Sequence, residues 1–345
     1  MKVKLLKIAV IFILISLISV NILGCSSTTE NQTKTGFFMD TQIDITVYGL
    51  NKGQFDSLSE EVFGEMMAME KIFSRHISGS DINRINEAAG REAVKVNDET
   101  IFLLQKALEV AEISEGAFDP TIAPLLELWG FGTDENRIPT AEELNKVLPF
   151  INYRAVQVNE ADSTVFLPEQ GMKLDLGGIA KGFIVDRGQQ EAGKFSATAL
   201  FINAGGDISI KGSKPTGDRW RIAVQNPRSP EEWAAIIEMD EGSVATSGDY
   251  QRVFEMDGER FHHILDPKTG FPSEGVSSVS IVAPDTLMAD ALSTAVFVLG
   301  LEKGLELLES LDGVDGVIID IQGGIHVTSG LVDDTEILVQ GGGRG

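Results

Sequence analysis

The spacing of apolar residues along the chain changes between two periods, and each period predicts a different secondary structure. Residues 41–48 (TQIDITVY) alternate apolar and polar side chains, which predicts a β-strand. Residues 55–73 and 100–114 carry apolar side chains every three to four positions, which predicts two amphipathic helices. Residues 140–148 predict a third, shorter helix, because the Pro139-Thr140 pair is a typical helix start. The first half of the chain is therefore expected to be rich in helices.

After Tyr153 the apolar residues occur in short β-branched runs, which predict strands. These runs cover residues 155–158, 164–167, 199–202, 222–225 and 277–282. Helices are predicted at residues 179–192, 286–299 and 303–311, and a closing hairpin around Gly323-Gly324 is predicted at residues 317–321 and 325–328. No boundary in this pattern divides the body into two parts. The sequence therefore predicts a single α+β domain with a helix-rich N-terminal part and a strand-rich C-terminal part.

The first 25 residues have the features of a secretory signal. Lys2, Lys4 and Lys7 precede an apolar run at residues 8–20, which is shorter than the roughly 20 residues that a membrane-spanning helix needs. The segment Ile22-Leu23-Gly24-Cys25 resembles a bacterial lipobox, which implies cleavage before the cysteine and attachment of a lipid to its sulfur. An uncleaved signal anchor with an incidental cysteine is the alternative.

These features predict three parts of the chain. Residues 1–24 would be a lipoprotein signal peptide, residues 25–36 the lipidated Cys25 and a polar tether, and residues 37–340 the folded domain. The mature protein would then be exported and anchored by its lipid on the extracytoplasmic face of a bacterial cell membrane.

The composition excludes several classes of function. The formal net charge is -24 at pH 7, and removal of the signal segment with its lysines would make the chain more negative still. Such a chain repels nucleic acid and anionic lipid surfaces. Cys25 is the only cysteine, so disulfides and thiolate metal sites are excluded. A phosphate-bearing ligand would need a metal ion, a local cationic patch or aligned backbone N–H groups to bind to this acidic body.

Asp290 and Thr294 are candidate metal ligands. They are four residues apart in a predicted helix, so they lie on one face about one turn from each other. A carboxylate and a hydroxyl in this arrangement can both bind a hard cation such as Mg²⁺. The alternative is that the two side chains cap the helix or face solvent.

The segment from Leu174 to Gly182 is a candidate phosphate-binding turn. A strand-like pair enters a glycine turn and continues as a helix, whose first backbone N–H groups are free to bind phosphate. Lys181 lies in the first turn, where the helix dipole does not favour a cation, so a ligand-binding role is indicated. The Walker and dinucleotide-binding glycine patterns are absent. A second glycine turn at residues 203–207 is either a tight turn with Asx hydrogen bonds or a ligand-facing loop.

Histidine is scarce, with only His76, His262, His263 and His326. These are too few nitrogen ligands for a zinc site in a chain without further cysteines. The adjacent pair would point to opposite faces of a strand, so one of them faces inward and is a candidate proton acceptor near neutral pH. A hydrogen-bonded structural histidine is the alternative. No GxSxG elbow or catalytic cysteine is present, which disfavours covalent hydrolase chemistry.

A series of segments in a fixed order carries a resemblance to one family. The segments are Phe73-Ser74-Arg75-His76 followed by Ser80-Asp81-Ile82, Gly116 to Thr121, Asp175 to Gly182, Asn203 to Asp207, Ser247-Gly248-Asp249-Tyr250, His263 to Pro267, and Asp290 to Thr294. Each segment alone is unspecific, whereas their serial order is specific. Over residues 38–330 the chain resembles the FAD:protein FMN transferases, the ApbE type of flavin-trafficking lipoproteins.

The resemblance implies an α+β enzyme that binds FAD with Mg²⁺, transfers the FMN half to a threonine hydroxyl of a target protein and releases AMP. It implies that Asp290, Thr294 and the backbone carbonyl of Gly178 hold the metal ion. It also implies that FAD is contacted by Met39, His76, Ala117, Phe118, Asp119, Asp175, Lys181 and Ile264. Family targets are membrane-associated redox subunits or extracytoplasmic flavoproteins with a short threonine-containing motif.

The resemblance also assigns the transfer step to His263. We expect this side chain to deprotonate the acceptor threonine and Asp266 to orient it, although a metal-bound carboxylate could take the same role. The chain departs from the family at two positions. Asp40 stands where the family usually has glycine, which adds a carboxylate near the flavin pocket and a further candidate metal neighbour. His76 stands where tyrosine is common, which weakens the stacking contact expected there.

Two other functions fit parts of the sequence. In the first, water replaces threonine, and the same residues split FAD to FMN and AMP. In the second, the protein is a solute-binding lipoprotein that captures flavin for import. Such binders usually have two similar lobes, whereas this chain shows no repeat, and the Asp290 and Thr294 pair would be idle in a simple binder.

Overall fold

The computed structural model describes residues 30–133 and 135–338. The signal segment, Cys25, the first part of the expected tether and the last two residues of the expected domain lie outside these ranges. Within them, no helix is long and apolar enough to cross a membrane. Because the signal segment and Cys25 lie outside the described residues, export and lipid attachment stay predictions.

The described residues form eight α-helices and sixteen β-strands. The helices are α1 Lys52–Phe73, α2 Asp81–Ala88, α3 Asp98–Ile113, α4 Ala123–Trp129, α5 Ala141–Val147, α6 Ala180–Ala192, α7 Thr286–Leu299 and α8 Leu301–Glu309. The strands are β1 Gln32–Phe38, β2 Thr41–Tyr48, β3 Val94–Lys95, β4 Gln157–Asn159, β5 Thr164–Phe166, β6 Ala199–Ala204, β7 Asp207–Lys211, β8 Trp220–Gln225, β9 Trp233–Met239, β10 Gly242–Gly248, β11 Val253–Met256, β12 Glu259–His262, β13 Val276–Ala283, β14 Asp315–Asp320, β15 Ile325–Val327 and β16 Thr335–Ile337.

Capping side chains define where several helices begin. Asn51 and Gln54 form a reciprocal capping box at the start of α1, and Thr140 and Glu143 form another at the start of α5. At α7 the carboxylate of Asp285 accepts a 2.8 Å hydrogen bond from the backbone N–H of Met288. Each cap satisfies N–H groups that have no partner within the helix.

The centre of the fold is an eight-stranded antiparallel sheet in the order β1-β2-β6-β7-β10-β13-β14-β15. Helices α1, α6 and α7 belong to the main core against one face of this sheet, where Ile45 of β2, Met66 of α1 and Phe297 of α7 are fully buried. The other face packs against a three-stranded sheet in the order β16-β9-β8, with Ile210 and Ile237 in the shared core. The central strands of the large sheet are therefore buried on both faces.

A smaller aromatic core supports the segment that carries the histidine pair. It contains Trp129 at the end of α4 and Phe131, which pack against Phe254 and Phe261 of the two-stranded sheet β11-β12. The indole N–H of Trp129 donates a 2.7 Å hydrogen bond to the carbonyl of Gly270. These contacts attach the loop after β12 to the helical part of the protein.

The α+β prediction is confirmed, and most predicted elements are present within one or two residues of their expected ends. Two predictions were wrong in detail. The tether was expected to extend to residue 36, but β1 begins at Gln32, so residues 32–36 belong to a strand. This strand was missed because Thr33, Lys34 and Thr35 are polar, as an edge strand with one solvated face allows. The strand predicted at residues 155–158 begins later, at Gln157, after a short 3-10 helix.

Candidate active site

Helices α6 and α7 pack closely at Gly182. A Cβ atom on Gly182 would lie 2.2 Å from the carbonyl oxygen of Thr286 on α7, so no larger residue fits without movement. The backbone N–H of Gly182 donates a 2.9 Å hydrogen bond to Oδ2 of Asp290. The glycine at this position therefore brings the start of α6 against the part of α7 that carries Asp290.

Two buried carboxylates share one lysine beside this contact. The side chain of Lys181 lies with its Nζ 3.3 Å from Oδ2 of Asp207, although this oxygen has no hydrogen bond of good geometry within the described ranges. Burial raises the pKa of Asp207, and Lys181 only partly opposes this rise. Burial and the neighbouring Asp207 raise the pKa of Asp290 well above its ordinary value. The excess of carboxylates over cations favours binding of a further positive charge.

Lys181 itself is held in its charged form. Burial acts to lower its pKa, but the carboxylates of Asp207 and Asp290 outweigh burial, and the pKa of Lys181 is raised. A charged lysine at the start of α6 can bind an anionic phosphate, as the sequence predicted.

Thr294 faces the glycine turn from one helical turn beyond Asp290. A Cβ atom on Gly178 would lie 3.2 Å from Oγ1 of Thr294 and 3.2 Å from the ring of Phe118. The hydroxyl of Ser247 lies 3.4 Å from the same Oγ1. The structure therefore brings the predicted ligands Gly178, Asp290 and Thr294 to one place, and it adds Ser247 as a neighbour.

The donor groups at this place fit a hard cation. No cluster of three or more His, Cys, Asp or Glu side chains that could hold a metal occurs in the described part of the chain. The predicted set instead offers one carboxylate, one hydroxyl and one backbone carbonyl, which are the oxygen donors that Mg²⁺ prefers while it keeps several waters. Oδ2 of Asp290 is fixed by Gly182, and no described residue donates a hydrogen bond to Oδ1. The metal assignment remains a prediction that this chemistry supports.

Asp175 organises the backbone of the glycine turn. Its Oδ1 accepts a 2.7 Å hydrogen bond from the N–H of Gly177, and its Oδ2 accepts a 2.5 Å bond from Nε of Arg75. Arg75 is in turn paired with Glu127 at 3.2 Å. The predicted FAD contact of Asp175 would therefore come from a side chain that is already fixed in orientation.

The segment with Ala117, Phe118 and Asp119 is buried beside the same turn. The ring of Phe118 would lie 3.2 Å from a Cβ atom added to Gly178, and both Ala117 and Phe118 are 5% exposed. The carboxylate of Asp119 accepts hydrogen bonds from the N–H and hydroxyl of Thr121 and from the N–H of Tyr153. Burial nevertheless raises the pKa of Asp119. The side chain of Asp119 thus supports this loop, and its contact with FAD stays a prediction.

Met39 lies in the two-residue turn between β1 and β2, near the second glycine turn. Both Met39 and Asp40 have positive φ, at 54° and 56°. The N–H of Met39 donates a 3.0 Å hydrogen bond to Glu70 on α1. Thr41, the first residue of β2, lies close to Gly205, because a Cβ atom on Gly205 would lie 2.2 Å from Oγ1 of Thr41. The turn is therefore adjacent to the segment that leads into Asp207.

His76 and Asp40, the two residues that differ from the family pattern, make no hydrogen bond, ion pair or ring contact with the described residues of the site. The side chain of His76 is exposed, and no hydrogen bond, ion pair or ring contact to it occurs among the described residues. The same holds for Asp40, which is exposed at the tip of its turn. Its role as a further metal neighbour stays a prediction that no contact supports.

The two adjacent histidines have different surroundings. His262 is buried, with its Nε2 3.0 Å from the carbonyl of Ser273 and its Nδ1 accepting a hydrogen bond from Ile264, so it is a satisfied structural residue. Nδ1 of His263 is buried without a partner in the described part of the chain. Burial, followed by the charges of Arg252 and His262, lowers the pKa of His263 to about 4. His263 is therefore neutral at pH 7 and has a nitrogen available for a bound molecule.

Ile264 follows directly and is fixed by its backbone. Its carbonyl accepts hydrogen bonds from the N–H and hydroxyl of Ser273, and its side chain is buried. Asp266 makes no hydrogen bond to Nδ1 of His263. Its Oδ1 accepts a 2.8 Å hydrogen bond from the N–H of Lys268, and so its carboxylate stabilises its own turn. No hydrogen bond therefore supports the prediction that Asp266 orients His263.

Three residues of the site were not predicted from the sequence. Arg75 and Asp207 lie in segments that carry the family resemblance, but their partners are distant in sequence, so no local pattern indicated their roles. Arg252 precedes β11, and its carbonyl accepts a hydrogen bond from the N–H of His263 after β12. The alternating pattern of a hairpin could have indicated that these two residues are opposite each other.

Comparisons with known proteins place the chain among one family of similar sequences. The profile of the ApbE family matches residues 39–318. An FAD:protein FMN transferase from Treponema pallidum is 37% identical over 295 residues, which are 81% of this chain and 81% of that protein. An FAD:protein FMN transferase from Klebsiella pneumoniae is 33% identical over 76% of this chain and 82% of its own length.

Solved structures show the same fold. The ApbE protein from Thermotoga maritima superimposes with a TM-score of 0.83 at 36% identity, covering 88% of this chain and 99% of that protein. The apo form of the Pseudomonas stutzeri flavinyl transferase ApbE gives a TM-score of 0.78 at 30% identity, covering 88% of this chain and 96% of that protein. The similarity therefore extends over most of the described residues.

Proposed function

Because the chain belongs to the ApbE family, we propose that it is an FAD:protein FMN transferase that moves FMN from FAD to a threonine hydroxyl of an acceptor protein. The threonine oxygen forms a bond to the FMN-side phosphorus, the bond from this phosphorus to the bridging oxygen breaks, and AMP leaves with that oxygen. The observation that carries this proposal is the position of the buried Asp290 beside Thr294 and Gly178, next to the cation of Lys181.

The phosphates of FAD carry charge that an acidic protein must neutralise. Asp290, Thr294 and the carbonyl of Gly178 would hold Mg²⁺, which supplies positive charge to the pyrophosphate and to the leaving AMP. Lys181 would bind a phosphate oxygen directly, whereas the N–H groups of Gly177, Ile179 and Ala180 already donate hydrogen bonds within the turn. Asp175, fixed by Arg75, keeps the glycine turn in position for this contact.

His263 would accept the proton of the acceptor threonine. It is neutral at pH 7 because its pKa is about 4, so it can accept a proton, but at this pKa it is a weak base. The charges of Arg252 and Lys181 contribute to the low pKa. An anionic diphosphate bound next to these cations would offset their charge and make His263 a stronger base once the substrate is present.

We propose in the same way that the enzyme is exported and lipid-anchored through Cys25 and that its acceptor is a membrane-associated redox subunit or an extracytoplasmic flavoprotein. The signal segment and the lipobox support this proposal. Mass spectrometry of the mature N-terminus tests it. A diacylglyceryl cysteine as the first residue is expected, and an unprocessed N-terminus that retains the signal segment would contradict it.

The transfer itself is tested with the lipid-free domain, FAD, Mg²⁺ and a candidate acceptor. Intact mass is expected to show one FMN on the acceptor, localised to threonine, with AMP formed only when acceptor is present. Release of AMP at the same rate without acceptor, with no flavin on threonine, would instead identify an FAD pyrophosphatase.

A further inference from the structure

Asp186 connects α6 to the first turn of α7 through both of its carboxylate oxygens. Oδ1 accepts a 2.9 Å hydrogen bond from the N–H of Thr286, and Oδ2 accepts a 2.8 Å bond from the N–H of Leu287. These two N–H groups belong to the set that has no acceptor within α7. A carboxylate from another helix therefore supplies both acceptors at once.

Asp186 and Asp285 satisfy different N–H groups at the start of α7. Asp285 already occupies the N-cap position and accepts a hydrogen bond from the N–H of Met288. The bonds from Asp186 differ because they cross between two helices, whereas the Asp285 bond stays within one. The two carboxylates can therefore be separated by experiment.

Asp186 and Gly182 form two connections at matching spacing. They are four residues apart on α6, and their partners Thr286 and Asp290 are four residues apart on α7. Residues four apart lie on one helical face, so the connections lie one turn apart along the interface. Two connections of this kind fix both the rotation and the register of α6 against α7.

The register matters because each helix carries half of the proposed phosphate and metal site. Lys181 lies on α6, with Gly178 just before it, whereas Asp290 and Thr294 lie on α7. A shift of one helix along the other would separate these groups even if both helices stayed folded. A shift that separates these groups would weaken binding of the metal ion and of the transition state strongly.

We propose that Asp186 is a positioning residue, which holds α7 in the register that lets Asp290 and Thr294 meet Gly178 and Lys181. This inference rests on the proposed function of the site. Burial raises the pKa of Asp186 to about 6, so keeping it ionised at neutral pH has a cost in stability. A residue with this cost is more readily explained by the geometry it fixes than by the stability it adds.

The test compares Asp186→Ala and Asp186→Asn with the matched control Asp285→Ala. Mn²⁺ is used as the probe because its bound and free forms are resolved by electron paramagnetic resonance, and each variant is titrated with and without FAD. All measurements are made well below the lowest melting temperature of the set. In parallel, kcat and KM for FAD are measured with a fixed acceptor.

The expected result separates the two carboxylates. Asp186→Ala is expected to weaken Mn²⁺ binding by about tenfold or more and to lower kcat. Asp186→Asn keeps one acceptor oxygen and is expected to lie between Asp186→Ala and the wild type. Asp285→Ala is expected to lower the melting temperature while its Mn²⁺ affinity and kcat stay near the wild-type values.

Two outcomes have different meanings. Equal Mn²⁺ affinities for Asp186→Ala and Asp285→Ala would overturn the positioning role, since both changes would then act only through helix stability. Failure of the wild-type protein to bind Mn²⁺ with or without FAD would overturn the proposed metal site itself, and with it the premise of this inference.

Discussion

The backbone N–H of Gly182 donates a 2.9 Å hydrogen bond to Oδ2 of Asp290, across the interface between α6 and α7. This bond uses one oxygen of a buried carboxylate and leaves the other without a hydrogen-bond donor from the described residues. It also places the carboxylate beside the glycine turn that contains Gly178. The site therefore depends on a contact in which no side chain can be added to Gly182.

Replacement of Gly182 by alanine is expected to damage both stability and metal binding. The added methyl group would lie 2.2 Å from the carbonyl of Thr286, which forces the helices apart and costs roughly 1–3 kcal/mol. Urea unfolding and Mn²⁺ titration measure the two effects. The control is Gly64→Ala on the exposed face of α1, where nothing lies within 4 Å of the new methyl and a gain of up to about 1 kcal/mol is expected. Wild-type stability of Gly182→Ala would contradict the close packing.

Replacement of His263 by glycine is expected to slow transfer and leave FAD affinity largely intact. A lost general base lowers the rate by roughly 10²–10⁴-fold, whereas Nδ1 of the His263 side chain has no hydrogen-bond partner among the described residues that its removal would disrupt. Single-turnover kinetics and FAD fluorescence quenching measure the two quantities separately. His262→Gly is the comparison, and it should reduce stability because it removes two hydrogen bonds. Parallel loss of rate and FAD affinity in His263→Gly would show that His263 is structural.

The low pKa of His263 predicts a pH dependence of stability with a defined sign. Its folded pKa of about 4 is below the ordinary value of 6.5, so the unfolded chain binds more protons between these values. The contribution to stability is present above pH 6.5 and is lost as the pH falls towards 4. Between these limits the wild type should lose roughly 1–3 kcal/mol more than His263→Gln, which cannot titrate. If the unfolding free energies of the two proteins changed equally with pH across this window, the assignment of His263 as a buried neutral histidine would be contradicted.

Replacement of Asp40 by glycine is expected to stabilise the protein. Asp40 has a φ of 56° in a two-residue hairpin turn, a conformation that glycine adopts without strain. A gain of about 0.5–1 kcal/mol is expected, with little change in activity because Asp40 makes no contact in the described part of the chain. Asp44→Gly on β2 is the control and should destabilise the sheet. Reduced FAD binding in Asp40→Gly would instead show that this carboxylate acts in the flavin pocket.

The sequence predicted the helix at residues 286–299 with its observed ends, because Asp285 and Gly300 provide a clear start and stop around an apolar pattern. It did not predict β1, because an edge strand of threonine and lysine has the composition of a linker. Local spacing thus determined the long amphipathic helices, but it missed the solvated strand β1 and also the largely buried strands β7, β9 and β10.

The same distinction applies to the site. Asp290 and Thr294 could be paired from their spacing within one helix. The bond between Arg75 and Asp175 joins residues 100 positions apart, and the tie from Asp186 to Thr286 spans the same separation. Contacts of this kind depend on how the elements pack, so only the folded structure could show them. The loss of the expected Asp266 contact to His263 has the same cause, since Asp266 bonds within its own turn instead.

The most direct test of the account is the rate at which Asp290→Asn transfers FMN to an acceptor threonine, measured by intact mass in a single turnover with FAD and Mg²⁺. The amide has the same shape and can still accept the hydrogen bond from Gly182, but it lacks the charge that a divalent cation needs. A rate at least about a hundredfold below the wild type is expected, together with loss of the response to Mg²⁺. Transfer by Asp290→Asn at the wild-type rate would contradict the account.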